Sequence, residues 1–455
     1  MIFPRTHTPH MPSPLESGSE AEARHVRPTD GRENTGEASP FDGFPATFLA
    51  DAIGIVGIGG STLVRDIVRD VRLAATNRAL LVVSEEPDLL RELSPTGRPD
   101  TQIQDHSTVD PVFAGVRHVD LEEGKDDHGP SFSCNILSPF KGESPHRACQ
   151  RALALLQSET HDWYEGASEL LANLCALAIR ATTHDWNRVD ARIDGRPEAT
   201  LRDLRDLLLN LDVRERVLND ADADAAERWY WRLVGECDLA EWRRTVAPVV
   251  NLCRRFHDKT WDILCDRSAP DAVDTFARRL LVGEGEDDTV LLLPSRGHTG
   301  DRRIFAGLLA YALAWVVSHG HGQRPHSTDE TRRTSLVIVW DAPTGDGHRG
   351  FEDLMHISQG MIRKDAPEIT VIVRARSSAE MPPGLRTLVS FEKDGGRAAR
   401  AYIMDGMEKG PCEAMWWVDE AMRNLTTGDA RIFRKSGGDG LYEDAGLLRL
   451  RGQGR

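Results

Sequence analysis

The stretch AIGIVGIGGSTLVRDIV, residues 52 to 68, decides how the first part of this chain folds. Its apolar run, residues 52 to 56, predicts a buried strand, and Leu63, Ile67 and Val71 recur at the spacing of one helical face. A glycine-rich turn lies between the two. A strand, a glycine-rich turn and a helix in this order indicate a phosphate-binding loop, because the N–H groups of the turn and the helix N-terminus attract anions.

The loop departs from the full phosphate-binding pattern, G-x-x-x-x-G-K-[ST], at the lysine. In the register that starts at Gly54, the lysine position is occupied by Gly60, and in the register that starts at Gly57 it is occupied by Leu63. The first lysine of the chain is Lys125, so neither register can supply one locally. The candidate phosphate-binding residues of this turn are Gly54, Gly57, Gly59, Gly60, Ser61 and Thr62.

The missing lysine has a chemical consequence. In P-loop enzymes it contacts the β and γ phosphates and stabilises the charge that develops during phosphoryl transfer. We therefore expect phosphate binding without efficient hydrolysis, unless an arginine takes its place. Arg65 and Arg69, one and two turns into the predicted helix, are available for this role. The alternative is a glycine-rich turn that only connects a strand to a helix.

A second candidate site residue ends the apolar run SLVIVWDAP. Leu336 to Trp340 predict a buried strand that is followed by Asp341. In P-loop enzymes a carboxylate at such a strand end holds Mg²⁺ through its water shell, which makes Asp341 the candidate catalytic residue and, with Ser61, a candidate metal ligand. Many P-loop motors place a glutamate next, where this chain has Ala342. An aspartate here is also typical of a helix cap or a turn.

A third candidate is the strand ITVIVRARS, which carries Arg374 and Arg376 near its end. Alternate residues of a strand point to the same face, so both guanidinium groups could meet a phosphate. Ion pairs on the rim of a sheet are the alternative interpretation.

The residue pattern divides the chain into five segments. Residues 1–45 have almost no apolar content and predict a disordered leader. Strand patterns in 46–144 and 286–425 predict the two parts of one α/β domain, while the helical runs of 145–285 predict an all-helical insertion between them. The Gly- and Arg-rich residues 426–455 predict a loosely ordered tail.

Composition narrows the cellular setting and the partners. The chain has 455 residues and a formal net charge of −16, so no global positive field draws it to DNA or to an anionic membrane. Its seven cysteines form no C-x-x-C pair, which predicts reduced thiols in a cytoplasmic protein. The longest apolar stretch, Ile304 to Val317, is shorter than the ~18 residues that span a bilayer, so no intrinsic membrane span is expected.

Further elements follow the loop in a characteristic order. ALLVVSEEPDLLREL comes next, then SFSCNILSPF with Asn135 and Leu137, then the helix of HDWYEGASELLANLCALAI that is led by Trp163, and finally the strand that ends at Asp341. In this order the elements resemble the soluble part of the TraG/TraD-type coupling proteins of conjugation and type IV secretion. The resemblance spans about residues 48 to 410.

The resemblance implies an α/β fold: a RecA-like P-loop ATPase core with a mostly parallel sheet, helices on both faces and an all-α insertion. It also implies ATP and Mg²⁺ as cofactors, DNA and secretion or relaxosome-like proteins as partners, and a homo-oligomer. The departures are the missing lysine, the missing glutamate after Asp341, and the segment from Arg374 to Ser378 in place of a glutamine-bearing sensor. We therefore expect a degenerate relative, a weak or inactive ATPase that acts by binding its partners.

Two other functions remain open. One is an active DNA-translocating ATPase in which an arginine replaces the lysine, and the other is a purely structural subunit of a mobile-element or defence assembly. With an acidic chain, contacts to DNA would need local clusters of arginine in the insertion. The clusters available there are Arg243, Arg244, Arg254 and Arg255.

Overall fold

The computed structural model describes most of the chain between Ala52 and Arg449. The described residues are 52–56, 61–74, 78–84, 86, 89, 93, 113, 117–120, 132–181, 198–258, 261–265, 271–282, 289–292, 299–319, 335–341, 349–358, 368–375, 381–382, 385–405, 422–423, 425, 429–435 and 442–449. The leader predicted for residues 1–45 lies outside this set.

One large sheet organises the molecule. Its nine strands lie in the order β11-β10-β9-β1-β8-β7-β2-β6-β3. They are β1 (Ile53–Val56), β2 (Arg78–Ser84), β3 (Arg117–Asp120), β6 (Thr289–Leu292), β7 (Ser335–Asp341), β8 (Glu368–Ala375), β9 (Thr387–Phe391), β10 (Asp429–Lys435) and β11 (Tyr442–Arg449). A separate two-stranded ladder pairs β4 (Phe132–Ser133) with β5 (Asp271–Ala272).

The sheet is parallel from β9 to β3, and β10 runs antiparallel to both β9 and β11. Its central strands are continuous apolar runs, as expected for parallel strands covered on both faces. This architecture confirms the predicted α/β fold class. The loosely ordered tail predicted for residues 426–455 is wrong, because β10 and β11 lie in that range and extend the sheet.

Helices cover both faces of the sheet. On one face α1 (Ser61–Ala74) packs Leu63, Ile67 and Val71 against Ile53 and Ile55 of β1. Val64 and Val68 lie in the same buried cluster, whereas Arg65, Asp66, Arg69 and Asp70 are charged, so the helix is amphipathic as its sequence predicts. The opposite face is covered by α10 (Val273–Val282), α11 (Thr299–His319), α12 (Arg349–Ser358) and α13 (Glu392–Asp405).

Between β4 and β5 every described element is helical. These elements are α2 (Pro145–Leu155), α3 (Gln157–Thr160), α4 (Glu165–Arg180), α5 (Asp203–Leu209), α6 (Leu211–Asp220), α7 (Ala225–Glu236), α8 (Leu239–Glu241), a π-helical turn (Trp242–Val246), α9 (Ala247–Arg255) and a 3₁₀ turn (Ile263–Cys265). Side-chain caps begin several of these helices. Asn210, Asp224 and Asp238 accept hydrogen bonds from backbone N–H groups in the first turns of α6, α7 and α8.

Two features of this helical part differ from the sequence pattern. The apolar spacing of residues 201 to 211 predicts one amphipathic helix. The structure has two helices there, because the extended backbone of Asn210 separates α5 from α6. The short strand β5 also lies within the range predicted to be all-helical, where it pairs with β4. The insertion is therefore anchored to the core by a small ladder at its base.

A buried ion pair fixes the entry into the helical part. Arg151 of α2 pairs with Glu143 at 2.9 Å, and both side chains are only 3% exposed. Its guanidinium also donates to the carbonyl oxygens of Ile136 and Ser138, and it lies 4.0 Å from the centre of the Phe140 ring. Every charge-bearing atom of this pair is thus compensated in the interior, which a buried pair requires.

Candidate functional site

Strand register brings polar residues together at one edge of the sheet. Ile55 of β1 stands beside Arg374 of β8, and Ser84 of β2 stands beside Asp341 of β7. Trp340 pairs with Val373, so Asp341 and Arg374 occupy the next step of the β7–β8 ladder. The carboxyl ends of parallel strands meet at this edge, and it is the edge where β1 leads into α1.

The polar residues share the face that α1 covers. Two residues earlier on each strand, the side chains on this face are apolar. They are Val82, Val339 and Ile372, which all pack in the cluster beneath α1. Side chains alternate along a strand, so Ser84, Asp341 and Arg374 continue these rows toward the edge. On this face of the sheet, the side chains thus change from apolar to polar or charged over two residues of each strand.

These side chains form a connected network, which we call the edge cluster: Ser84, Glu86, Asp341 and Arg374. The Ser84 hydroxyl donates to Oδ2 of Asp341 at 2.6 Å and accepts from the Glu86 N–H at 2.9 Å. Arg374 donates through Nη1 to Glu86 Oε2 at 2.5 Å and to Asp341 Oδ2 at 3.2 Å. One guanidinium nitrogen therefore contacts two carboxylates.

The edge cluster is largely withdrawn from solvent. The Arg374 side chain is 4% exposed, that of Asp341 11% and that of Glu86 26%, while Ser84 is fully buried. The formal charges are one cation and two carboxylates. Charges buried to this degree interact strongly, so the position of Arg374 is held by both carboxylates rather than by one.

The glycine turn itself lies outside the described residues. Gly57, Gly59, Gly60 and Arg376 fall in gaps, and of Ser61 and Thr62 only the helical backbone at the start of α1 is described. Their assignment to phosphate and metal binding remains a prediction. Four residues, 57 to 60, separate the end of β1 from the start of α1.

Gly54 is placed within β1, two residues before the strand ends. A Cβ atom at this position would lie 2.7 Å from Cδ1 of Leu385 and 2.9 Å from Cδ2 of Leu388. Close packing against β9 and the segment before it therefore gives Gly54 a structural reason to lack a side chain. The strand end favours the register that begins at Gly57.

Arg65, which could replace the lysine, and Arg374, which could meet a phosphate, lie at different places. Arg65, on α1, lies over the ring of Phe113 with its guanidinium carbon 5.9 Å from the ring centre. Arg374 points a buried guanidinium into the edge cluster at the carboxyl end of the neighbouring strand. Of these two, Arg374 is the one in contact with Asp341.

The arginine clusters of the insertion are partly engaged. Arg244 lies over the ring of Tyr164 at 4.4 Å, and Arg255 pairs with Glu159 at 2.6 Å. Arg243 and Arg254 are exposed. These two exposed guanidinium groups could contact a phosphate backbone. Two of the four arginines that were predicted to contact DNA are therefore accessible.

A cavity of about 450 Å³ lies within the helical insertion, between α4, α7 and the π-helical turn. Four carboxylates line it, together with apolar side chains such as Leu233 and Val246. The acidic lining residues are Glu169, Glu236, Asp238 and Glu241. Such a lining repels phosphate, so this cavity does not fit a nucleotide, and the nucleotide hypothesis remains with the edge cluster.

Metal sites, membrane spans and cysteines are the other predicted properties on which the structure bears. Among the described residues, no group of three or more His, Cys, Asp or Glu side chains is arranged to hold a metal ion. No helix in the described ranges is long and apolar enough to cross a membrane. The six described cysteines carry free thiols, and five of them are buried.

The architecture matches solved structures closely enough to identify the fold. A bacterial conjugative coupling protein, TrwB, in its unbound form covers 90% of this chain over 87% of its own length, with 10% identity and a TM-score of 0.52. The plasmid coupling protein TrwB in complex with ADP and Mg²⁺ gives the same values. This chain has the fold of a conjugative coupling protein.

The same coupling-protein fold, in TrwB bound to the non-hydrolysable GTP analogue GDPNP, matches 92% of this chain and 90% of TrwB at 12% identity and a TM-score of 0.50. No protein-family model matches the chain, and none of the curated proteins does. At such identities the likeness establishes the architecture, including the α/β core expected from the resemblance. It leaves the chemistry of this coupling-protein-like chain to its own residues.

Sequence reasoning named Asp341 and Arg374 separately and missed that they meet. Neither Ser84 nor Glu86 was a candidate site residue, whereas the structure places Ser84 in contact with Asp341 and Glu86 in contact with Arg374. A signal was present in the sequence. Each of Ser84, Asp341 and Arg374 is a polar residue at or near the end of an otherwise apolar strand.

Proposed function

We propose that this chain is a coupling-protein-like member of the P-loop proteins that binds a nucleoside triphosphate at the β1–α1 turn. It acts through DNA or protein partners with little or no hydrolysis. The observation that carries the proposal is the ion pair between Asp341 and Arg374 at the strand ends beside that turn. An aspartate that polarises a metal-bound water or phosphate must be accessible to the metal, and this one is engaged by Ser84 and Arg374.

The coupling-protein fold supports the nucleotide part of this proposal, because TrwB has been solved with ADP and Mg²⁺ and with GDPNP. The absent lysine supports the low turnover. Electrostatic stabilisation of the transferring phosphoryl group is the main contribution of such a site, and loss of a cation there lowers the rate by orders of magnitude. Type IV secretion and conjugation are the processes in which we place the chain.

The test combines binding and turnover. Equilibrium binding of a fluorescent ATP analogue should saturate, while phosphate release should stay below about 0.01 s⁻¹, far under the 1–100 s⁻¹ typical of efficient phosphoryl-transfer enzymes. Single-stranded and duplex DNA should each leave that rate unchanged. Absence of any nucleotide binding by the folded protein would favour a purely structural subunit and contradict the proposal.

Arg374 also supports a second candidate function, an active DNA-translocating ATPase in which an arginine replaces the lysine. In that case DNA should stimulate phosphate release, and both Asp341→Ala and Arg374→Ala should abolish it. Arg431→Ala serves as the control, because Arg431 pairs with Asp444 on the β10–β11 ladder, four strands from Asp341. DNA-stimulated turnover with this dependence would replace the first candidate by the second.

A further inference from the structure

The edge cluster has a cation of its own at the place where a P-loop enzyme holds a metal. Arg374 Nη1 lies 3.2 Å from Oδ2 of Asp341 and 2.5 Å from Oε2 of Glu86. The same Oδ2 accepts a hydrogen bond from the Ser84 hydroxyl at 2.6 Å. The oxygen that would face a metal or its water shell thus already has two donors.

Mg²⁺ does not fit this donor set. It demands near-octahedral coordination by oxygen at 2.0–2.1 Å and keeps several waters. A divalent cation beside Oδ2 would stand within a few ångströms of the Arg374 guanidinium, which is only 4% exposed, so solvent screens the repulsion weakly. The residues present therefore exclude the metal while Arg374 keeps its position.

Arg374 retains donor capacity beyond its two carboxylates. A guanidinium has five N–H groups, and the contacts to Glu86 and Asp341 both use Nη1. Its Nε is buried and has no hydrogen-bond acceptor within the described part of the chain. A buried donor without an acceptor is costly, and a ligand oxyanion would satisfy it.

We propose that the Arg374 guanidinium takes the place of the divalent metal at Asp341, so that the site takes a phosphate-bearing ligand in its metal-free form. The nucleotide part of this inference rests on the proposed function. The exclusion of the metal does not rest on it, because that exclusion follows from the edge cluster itself. The two parts are tested separately, in a nucleotide arm and a metal arm. Glu86, the more exposed of the two carboxylates, modulates the net charge that the ligand meets.

The metal arm uses Mn²⁺ alone, which replaces Mg²⁺ in oxygen sites and is detected by electron paramagnetic resonance. The wild-type protein should leave 1 mM Mn²⁺ free at equal protein concentration. Arg374→Gln should bind one Mn²⁺, because the substitution removes the guanidinium that contacts Asp341 Oδ2 and Glu86 Oε2. Asp341→Asn in that background should remove the gained site, and Arg431→Gln alone should bind none.

The nucleotide arm compares affinities in Mg²⁺ and in excess EDTA. The wild-type protein should bind a fluorescent ATP analogue with the same Kd in both, within about twofold, whereas Arg374→Gln should lose at least tenfold in EDTA. Glu86→Gln removes one negative charge beside Arg374 and should tighten metal-free binding by about tenfold, the effect of one charge pair of roughly 1.4 kcal/mol.

The two arms separate the inference from the proposed function. Mn²⁺ bound by the wild-type protein and lost in Asp341→Asn would overturn the inference, as would wild-type nucleotide binding that EDTA weakens tenfold. Wild-type protein that binds no nucleotide contradicts the proposed function, while the Mn²⁺ result still decides the inference. If Arg374→Gln does not fold, the wild-type measurements and Arg374→Lys decide it, since the lysine variant should also exclude Mn²⁺.

Discussion

Replacing Gly54 by alanine tests how β1 is seated and where the phosphate-binding turn begins. Gly54 faces away from α1, on the side of β1 opposite Ile53 and Ile55. The new methyl group would lie 2.7 Å from Leu385 Cδ1 and 2.9 Å from Leu388 Cδ2, separations that real Cβ contacts essentially never show. The neighbours or the strand must move to admit it.

The neighbours have little freedom to retreat. Leu388 pairs with Gly54 across the β1–β9 ladder. Leu385 is held at both main-chain groups: its N–H donates to the Tyr402 hydroxyl at 3.0 Å, and its carbonyl oxygen accepts from the Tyr442 hydroxyl. The clashing atoms are the ends of the two leucine side chains, and both side chains are buried, so a rotamer change that admits the methyl group costs core packing.

The expected magnitude follows from two opposing effects. Overpacking of this kind costs about 1–3 kcal/mol. Alanine in place of glycine restricts the unfolded chain and offsets about 0.4–1 kcal/mol of that cost. The two ranges leave a net loss of about 0–2.6 kcal/mol, and we expect Gly54→Ala to lower the free energy of unfolding by about 1–2 kcal/mol, near the middle of that range.

Urea unfolding followed by tryptophan fluorescence measures this change. Gly235→Ala is the matched control, because its Cβ would lie 3.7 Å from an Arg214 nitrogen, an ordinary contact, and the residue is helical and exposed. The control should be stabilising by about 0.5–1 kcal/mol. In a double-mutant cycle with Leu385→Ala, the penalty of Gly54→Ala should shrink by at least about 0.5 kcal/mol. A neutral Gly54→Ala, or strictly additive effects, would refute the steric reasoning.

The same variant separates the two registers of the turn. If Gly54 serves packing only, folded Gly54→Ala should bind the ATP analogue with unchanged Kd, and Gly57→Ala should weaken binding. If Gly54 is the first glycine of the phosphate-binding turn, the order of the two effects should reverse.

Two further predictions concern buried groups. Arg151→Met should lower the free energy of unfolding by about 3–5 kcal/mol, because it leaves the buried Glu143 carboxylate without its cation. The control is Arg255→Met, which should cost less than about 1 kcal/mol in the same urea assay because the Arg255 side chain is 42% exposed. Burial raises the pKa of the Cys253 thiol to about 12, whereas an unfolded thiol titrates near about 8.5. The unfolded chain therefore releases a proton that the folded protein keeps, and stability should fall as pH rises above about 9. Cys253→Ala should reduce that slope by up to about 1.4 kcal/mol per pH unit, and an unchanged slope between pH 9 and 10.5 would contradict the assignment.

The central strands could be predicted from sequence because each is buried on both faces. Runs such as Ser335–Asp341 and Glu368–Ala375 are continuously apolar until their ends, and short buried strands have this pattern. The pattern also marks where each strand stops. Asp341 and Arg374 were identified as candidates for that reason.

The last two strands could not be predicted in the same way. β10 has the sequence DARIFRK and β11 has the sequence YEDAGLLR. Both strands contain several charged residues, and the chain around them is rich in glycine and arginine. They lie toward one edge of the sheet and pair antiparallel, so only alternate residues need to be apolar. Ala430 and Ile432 face the cluster beneath α1, whereas Arg431 pairs with Asp444 at the surface. A loosely ordered tail has a similar composition.

The contacts of the edge cluster could not be predicted because they depend on register between distant strands. Ser84 and Asp341 are 257 residues apart in the chain, and a shift of one residue in either strand would turn one of the two side chains to the opposite face. Register is fixed by the packing of whole strands against α1. The residue types were therefore visible in the sequence, while their pairing required the fold.

The energetics of the edge cluster favour a role in binding over a role in stability. A buried ion pair seldom stabilises a fold more than apolar residues of similar size would, because the charges lose their hydration. Two residues earlier on the same strands and on the same face, Val82, Val339 and Ile372 pack without that cost. In the described strands, these charged residues lie at the edge beside the β1–α1 turn. A site that had lost its lysine and needed no ligand could extend the apolar rows to the strand ends, whereas a site that still receives an anion needs a cation there. We propose Arg374 as that cation, held in position by its two carboxylates.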